Sequence, residues 1–244
     1  MSQEPGIPFN RQLRNATKEI HSISDSLVNA KLAFAMSDND IWAEGLLVFY
    51  EIFRYLEEAM ERHCGEPLGE MFIDGMRRTE AFESDLNFYL GDNWRRNYTI
   101  RESVGNYLAH LRKLEADNPN LLIAYVYHLY MGLLSGGQIL MKKRSLLEKV
   151  NATNKEKEGA AVTDFSNLSI FNLKKEIINK INSLAEYFDN ETKDAIISES
   201  KRVFELNNEL VHSIKGTNSV LLRKFIIAIC VLIFCYCILI KLKF

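Results

Sequence analysis

The segment LYMGLLSGGQILMKK, residues 129–143, carries three glycines, Gly132, Gly136 and Gly137, in a stretch that is otherwise rich in helix formers. A glycine inside a helix costs about 1 kcal/mol relative to alanine, so this cluster indicates an offsetting gain. Close packing of another helix, or a kink, would supply one. A large planar ligand lying directly on the backbone would supply another, because Gly132 and Gly136 are four residues apart and share one helix face.

The same segment contains LSGGQ, residues 134–138, which is also the signature peptide of ABC-type ATPases. Such an enzyme needs a glycine-rich loop followed by Lys and Ser or Thr to hold phosphates. The nearest match, GLLSGGQI at 132–139, has Gln138 and Ile139 in those two positions. We also find no strand pattern along the chain. The sequence therefore argues against an ATPase.

The composition indicates one domain with a large core, because the chain has 244 residues of which 47% are hydrophobic. A net charge of -2 without a long Lys/Arg block gives no reason to expect nucleic acid as a partner. Cys64 is the single cysteine before the apolar C-terminus, so neither a disulfide framework nor a CxxC metal site is predicted.

The apolar residues of the body recur with helical spacing, as Leu47, Val48, Ile52, Tyr55 and Leu56 illustrate. The prediction is an all-α, single-domain fold. The predicted helices cover roughly 9–28, 39–62, 69–89, 100–115, 120–148, 168–187 and 190–214. The polar segment NATNKEKEGAA, residues 151–161, is predicted to be a surface loop.

The run FIIAICVLIFCYCILI, residues 225–240, contains 16 apolar residues between Arg223-Lys224 and Lys241. As a helix it would be roughly 24 Å long, close to the thickness of a thin bilayer. A buried core helix is the alternative, but it would strand the flanking cations. We expect a helical domain at 1–215, a linker at 216–219 and a C-terminal transmembrane anchor at 220–244. Such an anchor inserts after synthesis and leaves the body facing the cytosol, with the cations of residues 223–224 on that side.

Near the N-terminus, RQLRNATKEIHSISD, residues 11–25, places His21 close to Lys18 and Asp25 on one helix surface. A histidine can ligate a metal through one nitrogen while a carboxylate accepts a hydrogen bond from the other. An exposed helical histidine with a salt-bridging neighbour is the alternative. The remaining histidines, at 63, 110, 128 and 212, show no such setting and are interpreted as surface or satisfied core residues.

Taken together, these segments resemble the haem oxygenases. ATKEIH (16–21) resembles the family's proximal-histidine segment, and LLIAYVYHLYMGLLSGGQIL (121–140) resembles its distal-helix signature. Similarity in the family's order continues in YEIFRYLEEAMERH (50–63), DLNFYLGDNW (85–94) and VFELNNEL (203–210). It covers about residues 10–215, and the apolar C-terminus is similar to that of the membrane-anchored eukaryotic members.

The resemblance implies a haem held between two helices, with His21 as the iron ligand and Asp25 as its hydrogen-bond acceptor. Gly132 and Gly136, on the distal helix, would lie over the ring, and Tyr50 would be a further catalytic residue. The implied cofactor-binding residues also include Arg14, Lys18 and Tyr127 toward the haem propionates, one of Lys174, Lys175 and Lys180 as a further propionate anchor, and Phe204 and Asn207 in the pocket.

The sequence departs from the family on the distal side. Leu133 stands where the family has Asp, and Leu129 stands where it has Arg. With a Tyr matched by Tyr50, those polar groups organise water that delivers a proton to the reacting oxygen. Neither leucine can form a hydrogen bond, so haem binding is better supported than fast haem cleavage.

The function implied by the resemblance is a haem oxygenase in which haem is both substrate and cofactor. Dioxygen and electrons from NADPH, supplied by a cytochrome P450 reductase-type partner, would yield biliverdin, carbon monoxide and ferrous iron at the endoplasmic reticulum membrane. Slow turnover and loosened regioselectivity are expected from the two leucines. A non-catalytic haem-binding or haem-sensing protein on the same fold is the main alternative, and a tail-anchored interaction protein that binds no haem is the third.

Overall fold

A computed structural model of the chain describes residues 6–32, 38–149, 159–165 and 168–216. Within these ranges the fold is all-α and contains no strand, which confirms the predicted fold class. The helices are α1 (Phe9–Leu32), α2 (Asn39–Arg62), α3 (Pro67–Glu70), α4 (Thr79–Leu90), α5 (Trp94–Asn97), α6 (Glu102–Asp117), α7 (Leu122–Gly132), α8 (Gln138–Lys149), α9 (Ile170–Tyr187) and α10 (Asn190–Ser213). Short 3-10 turns cover Pro119–Leu121 and Ala161–Thr163.

Helix α2 has the bounds that its apolar spacing predicts. It begins where the side chain of Asp38 accepts hydrogen bonds from the backbone N–H groups of Asp40 and Ile41. Val48, Ile52 and Leu56, four residues apart along one face, are fully buried. This face makes α2 a central element of the core.

The predicted helix over 69–89 is wrong in its first half, because residues 71–78 form a loop between α3 and α4. Gly75 has a φ of +76°, which ends any helix there. The carboxylate of buried Glu57 accepts hydrogen bonds from the backbone N–H groups of Arg78 (2.5 Å) and Thr79 (3.2 Å), so a residue of α2 fixes the start of α4. Met71, Ile73 and Met76 of this loop are buried without being helical.

The predicted helix over 120–148 is interrupted at its glycines. Helix α7 ends at Gly132, a five-residue π-helical turn covers Leu133–Gly137, and α8 follows. Such turns are rare and occur frequently at functional sites. We call Leu133–Gly137 the π-turn below.

Helix α10 supports the two segments that the sequence singles out. Helix α1 packs against α10 and α9, and α7 also packs against α10. The first turn of α1 is tied to α9, because Asn182 Oδ1 accepts a hydrogen bond of 2.9 Å from the backbone N–H of Asn10. The segments around His21 and Gly132 are therefore held on one common helix.

Two predicted segments lie outside the described residues. They are the anchor at 220–244 with the linker residues 217–219, and residues 151–158 of the polar loop. Among the residues that the structure does describe, no helix combines the length and apolar character needed to cross a membrane. The described end of the polar loop is held against α4, because Tyr89 donates a hydrogen bond of 2.8 Å to the carbonyl of Gly159.

Candidate functional site

His21 lies on the exposed surface of α1 and is paired with Asp25 one turn later. Their side chains are 56% and 66% exposed, and His21 Nδ1 lies 3.1 Å from Asp25 Oδ2. The ring of His21 also contacts Phe204 of α10, with centroids 5.3 Å apart. Since Nδ1 faces the carboxylate, Nε2 is the nitrogen that a metal would take.

Gly132 and Gly136 border open space. Both are exposed, and a Cβ atom placed on either would meet nothing within 4 Å. Close packing of another helix therefore does not account for these two glycines. Gly137 differs, because a Cβ there would lie 3.1 Å from Leu133 Cδ1. Gly132 and Gly136 leave a bare strip of backbone that runs from the end of α7 into the π-turn.

One edge of this region carries groups suited to anions. Arg14 and Lys18 are exposed on α1, one turn apart and on the N-terminal side of His21. Tyr127 of α7 is buried, and burial raises its pKa, while the positive charge of Arg14 acts in the opposite direction. Arg14 therefore acts electrostatically on Tyr127, and a guanidinium and a phenol are both groups that can bind a carboxylate.

The three candidate lysines of α9 do not occupy equivalent positions. Lys180 Nζ donates a hydrogen bond of 2.7 Å to the carbonyl of Glu70, so this side chain is directed to the end of α3. Asn182, which bonds to α1, lies two residues later and so on nearly the opposite side of the helix. Lys175 precedes Asn182 by seven residues and so shares its face, with Lys174 beside it. The geometry favours Lys174 or Lys175 over Lys180 as the anchor near α1.

Phe204 and Asn207 both project from α10, but they have different surroundings. Phe204 contacts the rings of His21 and His128, with centroid distances of 5.3 and 5.1 Å. Asn207 Oδ1 accepts a hydrogen bond of 3.2 Å from the hydroxyl of Tyr107. Phe204 therefore contacts both α1 and α7 at the site, whereas the side chain of Asn207 is hydrogen-bonded to α6.

The distal positions are apolar, as the sequence indicates. Leu129 is buried and Leu133 is half-buried. Tyr50 is buried on α2, where its hydroxyl donates a hydrogen bond of 2.8 Å to Glu83 and accepts one of 3.2 Å from Arg95. Burial and Glu83 raise the pKa of Tyr50 to about 12. These bonds direct the hydroxyl toward α4 and α5, so its role beside the glycines stays a prediction.

Sequence reasoning missed one residue of this region, His128. The interpretation as a surface or satisfied core residue is wrong, because His128 Nε2 is buried and has no hydrogen-bond partner among the described residues. His110, in contrast, is satisfied by the hydroxyl of Tyr125 and by Glu199, at 2.8 and 2.9 Å. The spacing of His128 from Gly132, four residues, was the signal available in the sequence.

These residues fit a haem. A carboxylate-paired imidazole can ligate iron, a bare backbone strip can receive a flat ring, and cationic and phenolic groups can bind its carboxylates. The family model for "Heme oxygenase" matches residues 7–213. The chain belongs to the haem oxygenase family.

Individual relatives and solved structures agree with this membership. Heme oxygenase 1 of Nostoc sp. is 28% identical over 208 residues, which are 84% of this chain and 85% of that protein. Heme oxygenase of Takifugu rubripes is 28% identical over 217 residues, 87% of this chain and 76% of that one. The crystal structure of heme oxygenase-1 from the cyanobacterium Synechocystis in complex with heme superposes with a TM-score of 0.79 at 25% identity, covering 93% of this chain and 100% of the other. The crystal structure of heme oxygenase 2 from Chlamydomonas reinhardtii without heme superposes with a TM-score of 0.76 at 29% identity, covering 85% of this chain and 98% of the other.

Proposed function

We propose that the protein is a haem oxygenase that cleaves haem to biliverdin, carbon monoxide and ferrous iron. The observation that carries this proposal is the His21–Asp25 pair on α1, joined through Phe204 to the helix that bears the bare backbone of Gly132 and Gly136. When bound, the haem supplies both the ring that is cleaved and the iron at which dioxygen reacts. The protein's residues bind and orient this group and control access of protons and water.

His21 holds the haem from the α1 side, and Asp25 fixes the orientation of the imidazole. A carboxylate that accepts the Nδ1 hydrogen leaves Nε2 with its lone pair free to bind, and it raises the basicity of that nitrogen. The 3.1 Å separation between Nδ1 and the carboxylate is already suitable for this hydrogen bond. The exposed position of His21 leaves room for a large ligand on this side of α1.

On the distal side, Leu129 and Leu133 provide no group that can hold or move a proton. Water held by backbone carbonyls near the π-turn is the remaining route, because the i→i+4 hydrogen-bond pattern is interrupted between α7 and α8. A positioned acid–base group typically contributes about 10²–10⁴-fold. We therefore expect activity that is slowed within that range and not abolished.

The same leucines bear on the site of ring opening. Without a polar side chain to direct the reacting oxygen, selection among the meso carbons depends on the shape of the pocket and on how the haem carboxylates are held. We expect more than one biliverdin isomer. A non-catalytic haem-binding or haem-sensing protein remains the second candidate, and the apolar distal residues Leu129 and Leu133 are the observation that favours it.

One experiment separates the two candidates. The purified full-length protein in detergent is titrated with haemin, and then NADPH and a cytochrome P450 reductase-type donor are added while the visible spectrum is followed. Loss of the haem absorption with formation of bilin supports the oxygenase. A stable haem spectrum under these conditions supports the binding protein, and absence of haem binding contradicts both.

The proposal includes the source of the electrons and the cellular location of the protein. Electrons come from NADPH through a reductase at the membrane, and residues 220–244 anchor the protein in the endoplasmic reticulum with the helical body facing the cytosol. The support is the apolar run at 225–240 with its flanking cations. An anchored body would lie at the surface where a membrane-bound reductase works.

Deleting residues 220–244 is expected to release the protein from membranes while haem binding is retained, because the described helical body contains the whole candidate site. Membrane flotation and haemin titration measure the two properties. The matched full-length variant Val231→Arg/Ile233→Arg is expected to be released from membranes as the deletion is. The reason is that each arginine at the centre of a spanning helix costs about 2.5–3.5 kcal/mol of insertion free energy. An unfolded body after the deletion would show that the segment belongs to the core.

The lysines of α9 give a prediction about haem carboxylates. Lys174→Ala or Lys175→Ala is expected to weaken haemin binding about two- to fivefold, the range of an exposed charge pair, whereas Lys180→Ala is expected to leave it unchanged. Lys180 is the matched control because it lies on the same helix but bonds to Glu70. Titration of each variant by absorbance measures the affinity. The assignment is wrong if the largest loss occurs in Lys180→Ala.

A further inference from the structure

His128 is a polar side chain on α7, one helical turn before the bare backbone strip at Gly132 and Gly136. It precedes Gly132 by four residues and Gly136 by eight, so all three lie along one side of the helix and the π-turn. Space is open above both glycines. A planar ligand lying on them would therefore reach His128 at the N-terminal end of the strip.

The ring of His128 is held between aromatic neighbours. Its centroid is 4.9 Å from that of Tyr127 and 5.1 Å from that of Phe204, both in edge-on arrangements. Phe204 is also the ring against which His21 packs. His128 thus belongs to the same aromatic cluster as the proposed iron ligand, although it comes from the opposite helix.

The Nε2 atom of His128 is buried and unpartnered among the described residues. A buried polar group without a partner is costly, and native proteins avoid it unless a ligand, an ion or water completes the bond. Because His128 also belongs to the aromatic cluster of the candidate site, a group of the bound ligand is suited to complete this hydrogen bond.

The charges around His128 indicate which kind of group this is. Burial lowers the pKa of His128 to about 3, so the imidazole is neutral at physiological pH. A neutral imidazole that carries its hydrogen on Nε2 is a hydrogen-bond donor. Its neighbour Tyr127 is within the electrostatic reach of the Arg14 cation. A donor beside a phenol and a guanidinium suits an anionic acceptor.

We propose that His128 Nε2 donates a hydrogen bond to a carboxylate of the bound haem and thereby helps to hold the haem in the site. This inference rests on the proposed haem function. His128 is a positioning residue in this arrangement, and it acts from the α7 side while Arg14 and Lys18 act from α1. It supplies an anchor for the haem that does not depend on the distal leucines.

The test compares haemin with haemin dimethyl ester, in which both carboxylates are esterified, on the full-length protein in detergent. His128→Ala is expected to weaken haemin binding roughly tenfold to a hundredfold, the range for a hydrogen bond to a charged group. Binding of the ester is expected to be nearly equal in the unmodified protein and the variant. His128→Gln, which keeps an N–H donor, is expected to recover part of the loss for haemin only.

Three outcomes would overturn the inference while leaving the proposed function intact. One is unchanged haemin affinity in both variants. Another is an equal loss for haemin and ester, which indicates a packing role. The third is a ferric haem spectrum that changes in His128→Ala, which indicates iron ligation by His128.

Failure of the unmodified protein to bind haemin would instead contradict the proposed function. The thermal midpoint of each ligand-free variant shows whether it folds, and His128→Gln carries the test if His128→Ala does not.

Discussion

Replacing His21 with alanine is expected to abolish the histidine-ligated spectrum of the bound haem, and added imidazole is expected to restore it. The reason is geometric, because His21 is paired through Nδ1 with Asp25 and packs against Phe204, so its other nitrogen is presented to a ligand. The side chain is 56% exposed, so its removal leaves the core intact. Absorbance and electron paramagnetic resonance spectra of the ferric complex measure the change.

A second histidine provides the matched control for this experiment. His63, at the end of α2, is also paired with carboxylates, with Nδ1 lying 2.8 Å from Glu66 Oε2 and Nε2 lying 3.2 Å from Glu115 Oε1. His63→Ala is expected to leave the spectrum unchanged. Asp25→Ala is expected to keep histidine ligation and weaken haem affinity or activity by about 10- to 100-fold, the usual cost of losing such an outer partner. An unchanged spectrum in His21→Ala would refute the assignment.

The sequence was sufficient to predict elements whose signals are local. Helix α2 was predicted with its observed bounds, because its apolar spacing is a signal contained in the segment itself. The loop at 71–78 could not be predicted, since it depends on Glu57, a residue of another helix that caps α4. Two of its buried apolar residues, Ile73 and Met76, are three residues apart, a spacing that a helix would also produce.

The candidate site shows the same division between local and distant information. The one-turn spacing of His21 and Asp25 predicts their pairing on α1. The free-energy cost of glycine inside a helix predicts an irregularity at the glycines, where the structure has the π-turn. The choice among the α9 lysines required knowledge that Lys180 reaches Glu70. His128 was missed because Phe204, which contacts its ring, comes from α10 far along the chain.

Replacing Leu133 with aspartate is expected to raise the rate of haem cleavage, by up to the 10²–10⁴-fold that a positioned acid–base group contributes. Leu133 begins the π-turn directly after Gly132, so a carboxylate there lies beside the bare backbone strip. The residue is half-buried, and an aspartate can therefore keep contact with water. The measurements are the rate of haem loss with NADPH and reductase, and chromatography of the bilin isomers.

Leu133→Asn is the matched control, because it has nearly the same size and can hold water but carries no charge and does not act as an acid or base. A gain in Leu133→Asp that is absent in Leu133→Asn assigns the effect to proton delivery, and a gain shared by both assigns it to ordered water.

Aspartate is also expected to narrow the isomer mixture, since a polar group near the ring then favours one approach of the reacting oxygen. The double variant Leu129→Arg/Leu133→Asp tests whether the acid needs a cation beside it. Because Leu129 is buried, the thermal midpoint of that variant must be measured as well. A single bilin isomer from the unmodified protein would contradict the loosened regioselectivity, and no rate gain in any haem-loaded variant would show that the pocket is adapted to leucine.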